Sequence, residues 1–418
     1  MKILYLHQYF NTPEMKGGTR SYEMALRMVK RGHEVHMITS RKEYKTSGNL
    51  WESEVIEGIY VHWLPVKYDN KMPYVRRIFS FFKFAFAAGK KAIVIGGDII
   101  FATSTPLTIA IPAIQAKKVL KVPMVFEVRD LWPELPIAIG ALKSPLTKYL
   151  AKKLEIWAYK HSDSVVGLSP GMCEGVISTG YPAKKVFNIP NSCDINLFSV
   201  EPKQGIDFRA KYDWLGDRPL VIYAGTLGHI NGICYLARVA QKMLYVAPEV
   251  RFLVIGRGVE EEKLRNEATE LGVLGDNFFM LPPMSKNEMP ALFSAATIST
   301  SLFIPLEEMW ANSANKFFDT LASGKPIAIN YGGWQKKLIE SYGNGLVLHE
   351  TDYSSAAKEL LALLNDEVKL QKTGEASKKM AVDSFSRDVL AKELINLLEN
   401  LFVGSSAISS EGKSLGAS

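Results

Sequence analysis

Leu220-Val221-Ile222-Tyr223-Ala224-Gly225-Thr226-Leu227-Gly228 runs five apolar residues straight into a glycine-bearing turn. A run this short with no polar interruption suits a strand buried on both faces, as in a parallel sheet. The pattern repeats downstream. Phe252-Leu253-Val254-Ile255 ends in Gly256-Arg257-Gly258, and strand candidates follow at 278–281, 297–301, 327–329 and 346–348. Upstream, Ile3-Leu4-Tyr5-Leu6 leads through a loop with Gly17 and Gly18 into a helical stretch carrying Ala25, Met28 and Val29. That stretch stops at Gly32, and Val35-His36-Met37-Ile38 resumes as strand. Further strands are expected at 60–65, 99–102, 124–128, 164–168 and 186–189, with helical patterns over 107–120 and 145–160 between them. Alternation of this kind specifies an α/β sheet.

The alternation breaks once. Residues 191–219 are polar and irregular, with Pro202, Gly205 and Gly216. The reading is two Rossmann-like, doubly wound domains facing a central cleft, 1–200 and 201–385, with ligands at the carboxyl ends of the strands. Residues 386–402 are expected as a last helix packing back toward the first domain. Ser386 is its cap, and Leu390, Leu394, Leu397 and Leu401 form its apolar face. The Gly- and Ser-rich residues 403–418 are expected to be disordered.

A chain of 418 residues is long enough for two such domains, and 47% hydrophobic with 22% charged residues excludes a mostly disordered protein. The net charge of +7 suits an anionic ligand or surface. Cys173, Cys193 and Cys234 are too scattered for a disulfide framework or a metal site, which points to a reducing compartment. The apolar start ends at His7, too short for a signal peptide, and no stretch is apolar for long enough to span a bilayer.

Several chemistries drop out. Gly256-Arg257-Gly258 lacks the third glycine of a dinucleotide fingerprint, and Gly324-Lys325 is followed by Pro326, so there is no P-loop. No Asp-x-Asp occurs and the seven histidines form no zinc-protease motif, so no metal or cofactor is expected. What remains are glycine turns at strand ends, Gly17-Gly18 and Gly225-Thr226-Leu227-Gly228, where a backbone can approach a phosphate. Either turn alone is equally an ordinary strand-to-helix connection. More telling is Trp310-Ala311-Asn312-Ser313-Ala314-Asn315-Lys316-Phe317-Phe318-Asp319-Thr320-Leu321-Ala322-Ser323-Gly324-Lys325-Pro326. Asn312 or Ser313 is expected to cap a helix running to about Ser323. Lys316 in its first turn opposes the helix dipole and calls for an anion. A plain amphipathic helix accounts for Phe317, Phe318 and Leu321 but not for Asn315-Lys316.

On these residues the chain resembles the family 4 GT-B glycosyltransferases over nearly its whole length. Gly17-Gly18 with Lys30-Arg31-Gly32-His33-Glu34-Val35 is similar to the family's opening. Asn315 to Asp319 through Gly324-Lys325-Pro326 is similar to its donor-site helix. Phe126-Glu127-Val128-Arg129-Asp130-Leu131-Trp132-Pro133-Glu134 resembles bacterial O-antigen and surface-polysaccharide transferases of the N-acetyl-L-fucosamine type. Of two family glutamates eight positions apart, the second matches Asp319 and the first falls on Ala311. Positions where many members carry Arg and Lys hold Thr226 and Asn231, and a family histidine aligns with Arg129. The resemblance implies a retaining, metal-independent transfer from a nucleotide-diphosphate sugar, a UDP-sugar being expected. The donor would be bound by Gly17, Gly18, Gly225, Thr226, Gly228, Met284, Asn315, Lys316 and Asp319. Arg129, Asp130 and Glu308 would serve catalysis, and Glu134 the acceptor.

One stretch has its own logic. From Asn70 to Gly97 there is no acidic residue, while Lys71, Arg76, Arg77, Lys83, Lys90 and Lys91 alternate with Tyr74, Phe79, Phe81, Phe82, Phe84 and Phe86. Arg76, Lys83 and Lys90 recur every seven residues, one stripe on a helix. This composition suits an interfacial helix on anionic lipid, hence a lipid-linked glycan acceptor on the inner face of the cytoplasmic membrane. A buried helix with a solvated basic edge is the competing reading, and nucleic acid is not expected. For the whole chain, a sugar-nucleotide epimerase of the same architecture and a non-catalytic nucleotide-sugar-binding protein stand as alternatives.

Overall fold

The computed structural model describes residues 1–15, 17–41, 51–66, 72, 74–140 and 142–414, with the side chains of Tyr74, Val75 and 406–414 left aside. Fourteen strands occur among them. They are β1 (Lys2–Leu6), β2 (Glu34–Arg41), β3 (Glu52–Ile56), β4 (Ile59–Pro65), β5 (Ile99–Thr103), β6 (Met124–Val128), β7 (Ser164–Gly167) and β8 (Val186–Asn188), then β9 (Leu220–Ala224), β10 (Arg251–Ile255), β11 (Phe278–Leu281), β12 (Ile298–Ser301), β13 (Ile327–Ile329) and β14 (Gly345–Val347). They form two sheets, ordered β3-β4-β2-β1-β5-β6-β7-β8 and β11-β10-β9-β12-β13-β14. Both are parallel apart from the β3–β4 pair. The short apolar runs are strands because helices cover both sheet faces, so β1, β5, β6 and β9 are almost wholly buried.

The chain divides into two compact units. The first holds Met1–Thr12, Gly17–Pro190 and the chain from Asp388 onward; the second is built on Asn191–Arg387. The crossing therefore falls some ten residues before the expected 200/201. The irregular stretch after Pro190 already packs within the second unit: Phe198 stacks edge-on against Phe293, and Arg387 pairs with Asp194. Polar composition marked a loop there, but its anchoring side chains lay beyond the reach of a composition argument.

Two further differences have clear causes. β3 was not anticipated, because Glu52 and Glu54 make it read as a loop. It is an edge strand whose acids pair with Arg41 at 2.9 and 2.8 Å, a charged edge of the kind that discourages pairing with other chains. The two-residue turn Glu57-Gly58, both at positive φ, fixes its register with β4. The last helix runs Arg387–Ser414, where an end at 402 and disorder from 403 were expected; residues 415–418 of that expectation lie outside the described residues. No proline interrupts that stretch, and its two glycines, Gly404 and Gly412, are a tolerable cost of about 1 kcal/mol each. The helix is tied within its own unit by Arg27–Asp388 and by Glu399 against His33 and Arg31.

Candidate functional site

In the second unit β9 lies between β10 and β12, so the connections after β9 and β12 leave the sheet on opposite sides. A crevice at the carboxyl end follows from this topology. The turn after β9 is zipped to the turn after β10. The Gly225 N–H donates to the Ile255 carbonyl (2.9 Å) and the Leu227 N–H to that of Arg257 (3.1 Å). A Cβ on Gly256 would stand 1.9 Å from the Gly225 carbonyl oxygen, and one on Gly258 2.1 Å from that of Leu227. Those two glycines are there for close backbone approach. Gly225 likewise spends its own N–H within the sheet, which corrects the expectation that it points at a phosphate. Thr226 is exposed at the tip and Gly228 half-buried behind it.

The helix following β12 runs Asn315–Ala322, with Ala314 at its cap position. Neither Asn312 nor Ser313 caps it as expected. The Asn312 Oδ1 accepts from the Ala314 N–H (3.1 Å), and the Ser313 hydroxyl accepts from the Asn191 N–H (3.1 Å). Phe317, Phe318 and Leu321 are buried, as the apolar spacing requires. Lys316 reaches back across the sheet end. Its Nζ donates to the Tyr223 hydroxyl (3.2 Å) and lies 4.7 Å from the Tyr223 ring centroid and 5.1 Å from that of Phe303. Oriented to satisfy both of its groups, the Asn231 amide accepts from Lys316 Nζ (3.1 Å) and donates to the Thr226 carbonyl (2.9 Å). Tyr223 donates to that same carbonyl (2.8 Å). Burial pushes the Lys316 ammonium down to about 7, and among the described residues no carboxylate forms an ion pair with it.

One turn on, Asp319 accepts from Lys286 (2.7 Å), and burial raises its carboxyl above the usual range while Lys286 opposes that rise. Met284 sits two residues before Lys286 on the loop after β11, half-buried. Asn315 is half-buried at the helix start. Glu308 is exposed on the single turn Glu307–Ala311 and, among the described residues, takes no part in these hydrogen bonds. The structure thus gathers Gly225, Thr226 and Lys316 with Tyr223 and Asn231, and connects Asp319 to the Met284 loop through Lys286.

In the first unit β1 lies between β2 and β5, again a switch point. His7 follows β1, Ser104 and Thr105 follow β5, and Arg129 and Asp130 follow β6. The Arg129 N–H donates to the Ser104 hydroxyl (2.9 Å), and its guanidinium lies 3.3 Å from His7 Nε2. Burial, and then Arg129, push His7 well below its ordinary pKa, so the ring is neutral. Its Nε2 then accepts from Arg129, and its Nδ1–H faces the Ser21 hydroxyl at 2.8 Å. Asp130 accepts from the Thr105 hydroxyl (3.1 Å); burial raises its carboxyl, and Arg129 and Thr105 pull it back.

Beneath them lies a pair that sequence reasoning missed. Glu127, inside β6, is fully buried against Arg20 (3.0 Å), and Thr103 donates to it at 2.9 Å. Arg20 also donates to the Pro190 and Ile189 carbonyls (2.7 and 3.0 Å). The signal was present: an acid inside the apolar run Met124-Val125-Phe126-Glu127-Val128 must have a buried partner. Gly17 and Gly18 are exposed just before the helix Arg20–Lys30. Glu134 is held by Lys152 at 2.6 Å, which also grips Glu155 at 2.7 Å.

The basic aromatic stretch is the helix Tyr74–Ile95, and Lys71 lies outside the described residues. Phe84, Ala88 and Ala92 face the core and pack toward the helix Ala110–Leu120. Arg76, Phe79, Phe82, Lys83, Phe86 and Lys90 are exposed, whereas Arg77 and Lys91 are half-buried, Lys91 over the Trp51 ring. The helix has a core side, as the competing buried-helix reading expected, and an exposed stripe of cations and rings. A second helix of the same unit, Pro145–Lys160, exposes Leu146, Tyr149 and Leu150 in its first turns, between Lys143 and Lys153. No described helix is long and apolar enough to cross a membrane.

Comparison with known proteins agrees with this layout. Residues 17–192 match the glycosyl transferase 4-like domain, and residues 206–380 match the glycosyl transferases group 1 domain. Spore coat protein SA of Bacillus subtilis is 22% identical over 191 residues, 44% of this chain and 50% of that protein. The lipopolysaccharide core biosynthesis glycosyltransferase LpsE of Rhizobium meliloti is 23% identical over 240 residues, covering 57% and 65%. The matches span 50% to 62% of the length of the first curated relatives. The crystal structure of Anabaena HepE in complex with UDP-glucose superposes with a TM-score of 0.70 at 16% identity, over 96% of this chain and all of that one, and so shares the fold.

Proposed function

We propose, from the premise that this chain belongs to the GT-B glycosyltransferases of the family-4 type, that it moves a sugar from a nucleotide-diphosphate donor onto a lipid-linked glycan. The observation that carries the reading is Lys316. It is a cation at the carboxyl edge of the second sheet, beside a glycine turn, with hydroxyl, amide and ring neighbours in place of a carboxylate. A departing nucleotide diphosphate supplies the missing anion. Lys316 stabilises the charge that develops on the leaving group, a contribution that needs no metal ion. Thr226 and Asn231, where the family resemblance implies cations, leave Lys316 with a larger share of that work. Asp319 takes the ribose hydroxyls, and the Met284 loop lines the base. The transfer proceeds with retention.

The acceptor is bound by the first unit, with Asp130 facing its hydroxyl and Arg129 held in place by Ser104 and His7. Phe79, Phe82 and Phe86, interleaved with Arg76, Lys83 and Lys90, dock on the anionic inner face of the cytoplasmic membrane, and the start of Pro145–Lys160 adds Leu146, Tyr149 and Leu150. Each buried ring contributes roughly 1.5–3 kcal/mol and each cation near the surface about 1 kcal/mol. The similarity to LpsE, a lipopolysaccharide core biosynthesis glycosyltransferase, supports a surface-polysaccharide role; that the polysaccharide is of the O-antigen kind and the sugar moved an amino-deoxysugar is our reading of the Phe126–Glu134 resemblance.

One experiment tests the whole reading. The protein is incubated with a panel of nucleotide sugars, with EDTA, with and without anionic vesicles carrying a lipid-linked glycan, and products are followed by mass spectrometry. Transfer to the lipid-linked acceptor is expected to persist in EDTA. Arg76→Glu/Lys83→Glu/Lys90→Glu should abolish vesicle binding while nucleotide binding in solution is kept. Transfer only to soluble acceptors, with the triple variant still pelleting like the parent, would overturn the membrane half of the proposal. Conversion of the donor sugar with no acceptor present would favour an epimerase.

A further inference from the structure

Lys286 has no role in the transfer as described, yet it stands between two carboxylates. Its Nζ is 2.7 Å from Asp319 Oδ1, 3.7 Å from Asp194 Oδ2 and 5.0 Å from the Phe198 ring centroid. Asp194 is gripped in turn by the Arg387 guanidinium, through Nε and, at 2.9 Å, through Nη2. Asp194 and Arg387 stand where the second unit begins and ends. Their segments are joined by the Cys193 N–H to the Phe385 carbonyl (2.7 Å) and the Arg387 N–H to the Cys193 carbonyl (3.2 Å). The four side chains form one line, Asp319–Lys286–Asp194–Arg387, with two charges of each sign.

The position of Lys286 in this line has a chemical consequence. A carboxyl this enclosed takes up a proton unless a cation holds it ionised. A protonated carboxyl has a hydrogen to donate, while a ribose diol brings two O–H donors and needs an acceptor. The groups that face Asp319 are Lys286 and Arg387, which favour the ionised form, and Asp194, which opposes it; the Cys193 thiol is kept neutral by burial. Lys286 is the cation in direct contact. It also follows Pro283-Met284-Ser285, so one loop both approaches the base and fixes the carboxylate meant for the ribose.

We infer that Lys286 is a positioning residue for the nucleotide: it holds Asp319 as an oriented acceptor for the ribose hydroxyls and ties it to the Asp194–Arg387 pair. The inference rests on the donor-binding reading above. UDP and 2′-deoxy-UDP serve as probes, with binding measured by calorimetry from acid to neutral pH. In Lys286→Met, UDP should bind about tenfold more weakly or worse, and the acid limb of binding should move up by about one pH unit, the equivalent shift. The loss should be smaller for 2′-deoxy-UDP, which has given up one of the hydroxyls concerned. Lys286→Arg should restore both the affinity and the limb. If the Met variant does not fold, Lys286→Gln keeps a donor without the charge and carries the same test. A variant that binds UDP with the parent's affinity and the parent's acid limb overturns the role of Lys286 and leaves the donor reading standing. A parent that binds neither UDP nor GDP nor ADP overturns the donor reading, and this inference with it.

Discussion

Arg20 and Lys316 are two enclosed cations, each at the switch point of its own parallel sheet, and their surroundings differ in one respect. Arg20 is 1% exposed and fully answered: Glu127 at 3.0 Å and two backbone carbonyls take its donors. Lys316 is answered by a tyrosine hydroxyl, an amide oxygen and two ring faces, with no carboxylate among the described residues. A buried charge whose partner lies in the same chain belongs to the architecture. One whose surroundings offer only dipoles keeps its place for an anion that arrives. The difference separates a structural pair from a candidate binding group more sharply than burial alone, since both residues are enclosed.

The largest effect expected from breaking this contrast is on folding. Arg20→Met leaves Glu127 buried and uncompensated and should cost about 3–5 kcal/mol in chemical denaturation. Adding Glu127→Leu should recover most of that loss, because neither charge then remains. A single variant as stable as the parent would place Arg20 on the functional side of the comparison instead.

Lys316→Ala should do the reverse, leaving the denaturation midpoint near that of the parent and weakening nucleotide-diphosphate binding by about 1.5–3 kcal/mol. The pH dependence of the parent sharpens the same point. Below about 7 the ammonium is already charged and affinity should be level. Above it each binding event must take up a proton, so affinity should fall by at most about tenfold per pH unit. Titration calorimetry in buffers of different ionisation enthalpy reads that proton directly. A flat profile above neutrality would show that Lys316 is charged throughout.

The smallest change concerns Asp130, which resembles Lys316 in being enclosed and Arg20 in having a partner, Thr105. Asp130→Asn should lower turnover with donor affinity unchanged, read from separate kcat and binding measurements. Unaltered turnover would make it part of the architecture.

Much of this was legible in the sequence. Runs such as Leu220–Ala224 and Ile3–Leu6 read as buried strands because a strand covered on both faces has little room for polar residues, and that constraint is local. The amphipathic spacing of Phe317, Phe318 and Leu321, and the recurrence of Arg76, Lys83 and Lys90, are local for the same reason. β3 escaped because an edge strand is half solvent and may be as polar as a loop, although Glu57-Gly58 between Ile56 and Ile59 carried a hairpin signal. The two lysines at the donor helix show the limit well. Lys316 stood out as a cation at a helix start, whereas Lys286 sat unremarked in a proline-bearing loop.

By itself the sequence determined the alternation of strand and helix, the two-unit plan and the residue types at the strand ends, all of which depend on neighbours a few positions away. Only the tertiary structure decided which charge meets which. Arg20 and Glu127 are separated by 107 residues, and Lys316 and Tyr223 by 93. Over such separations a charge's partner is set by sheet order and register, which bring distant strand ends together. Whether a buried cation is spent or available follows from that partner.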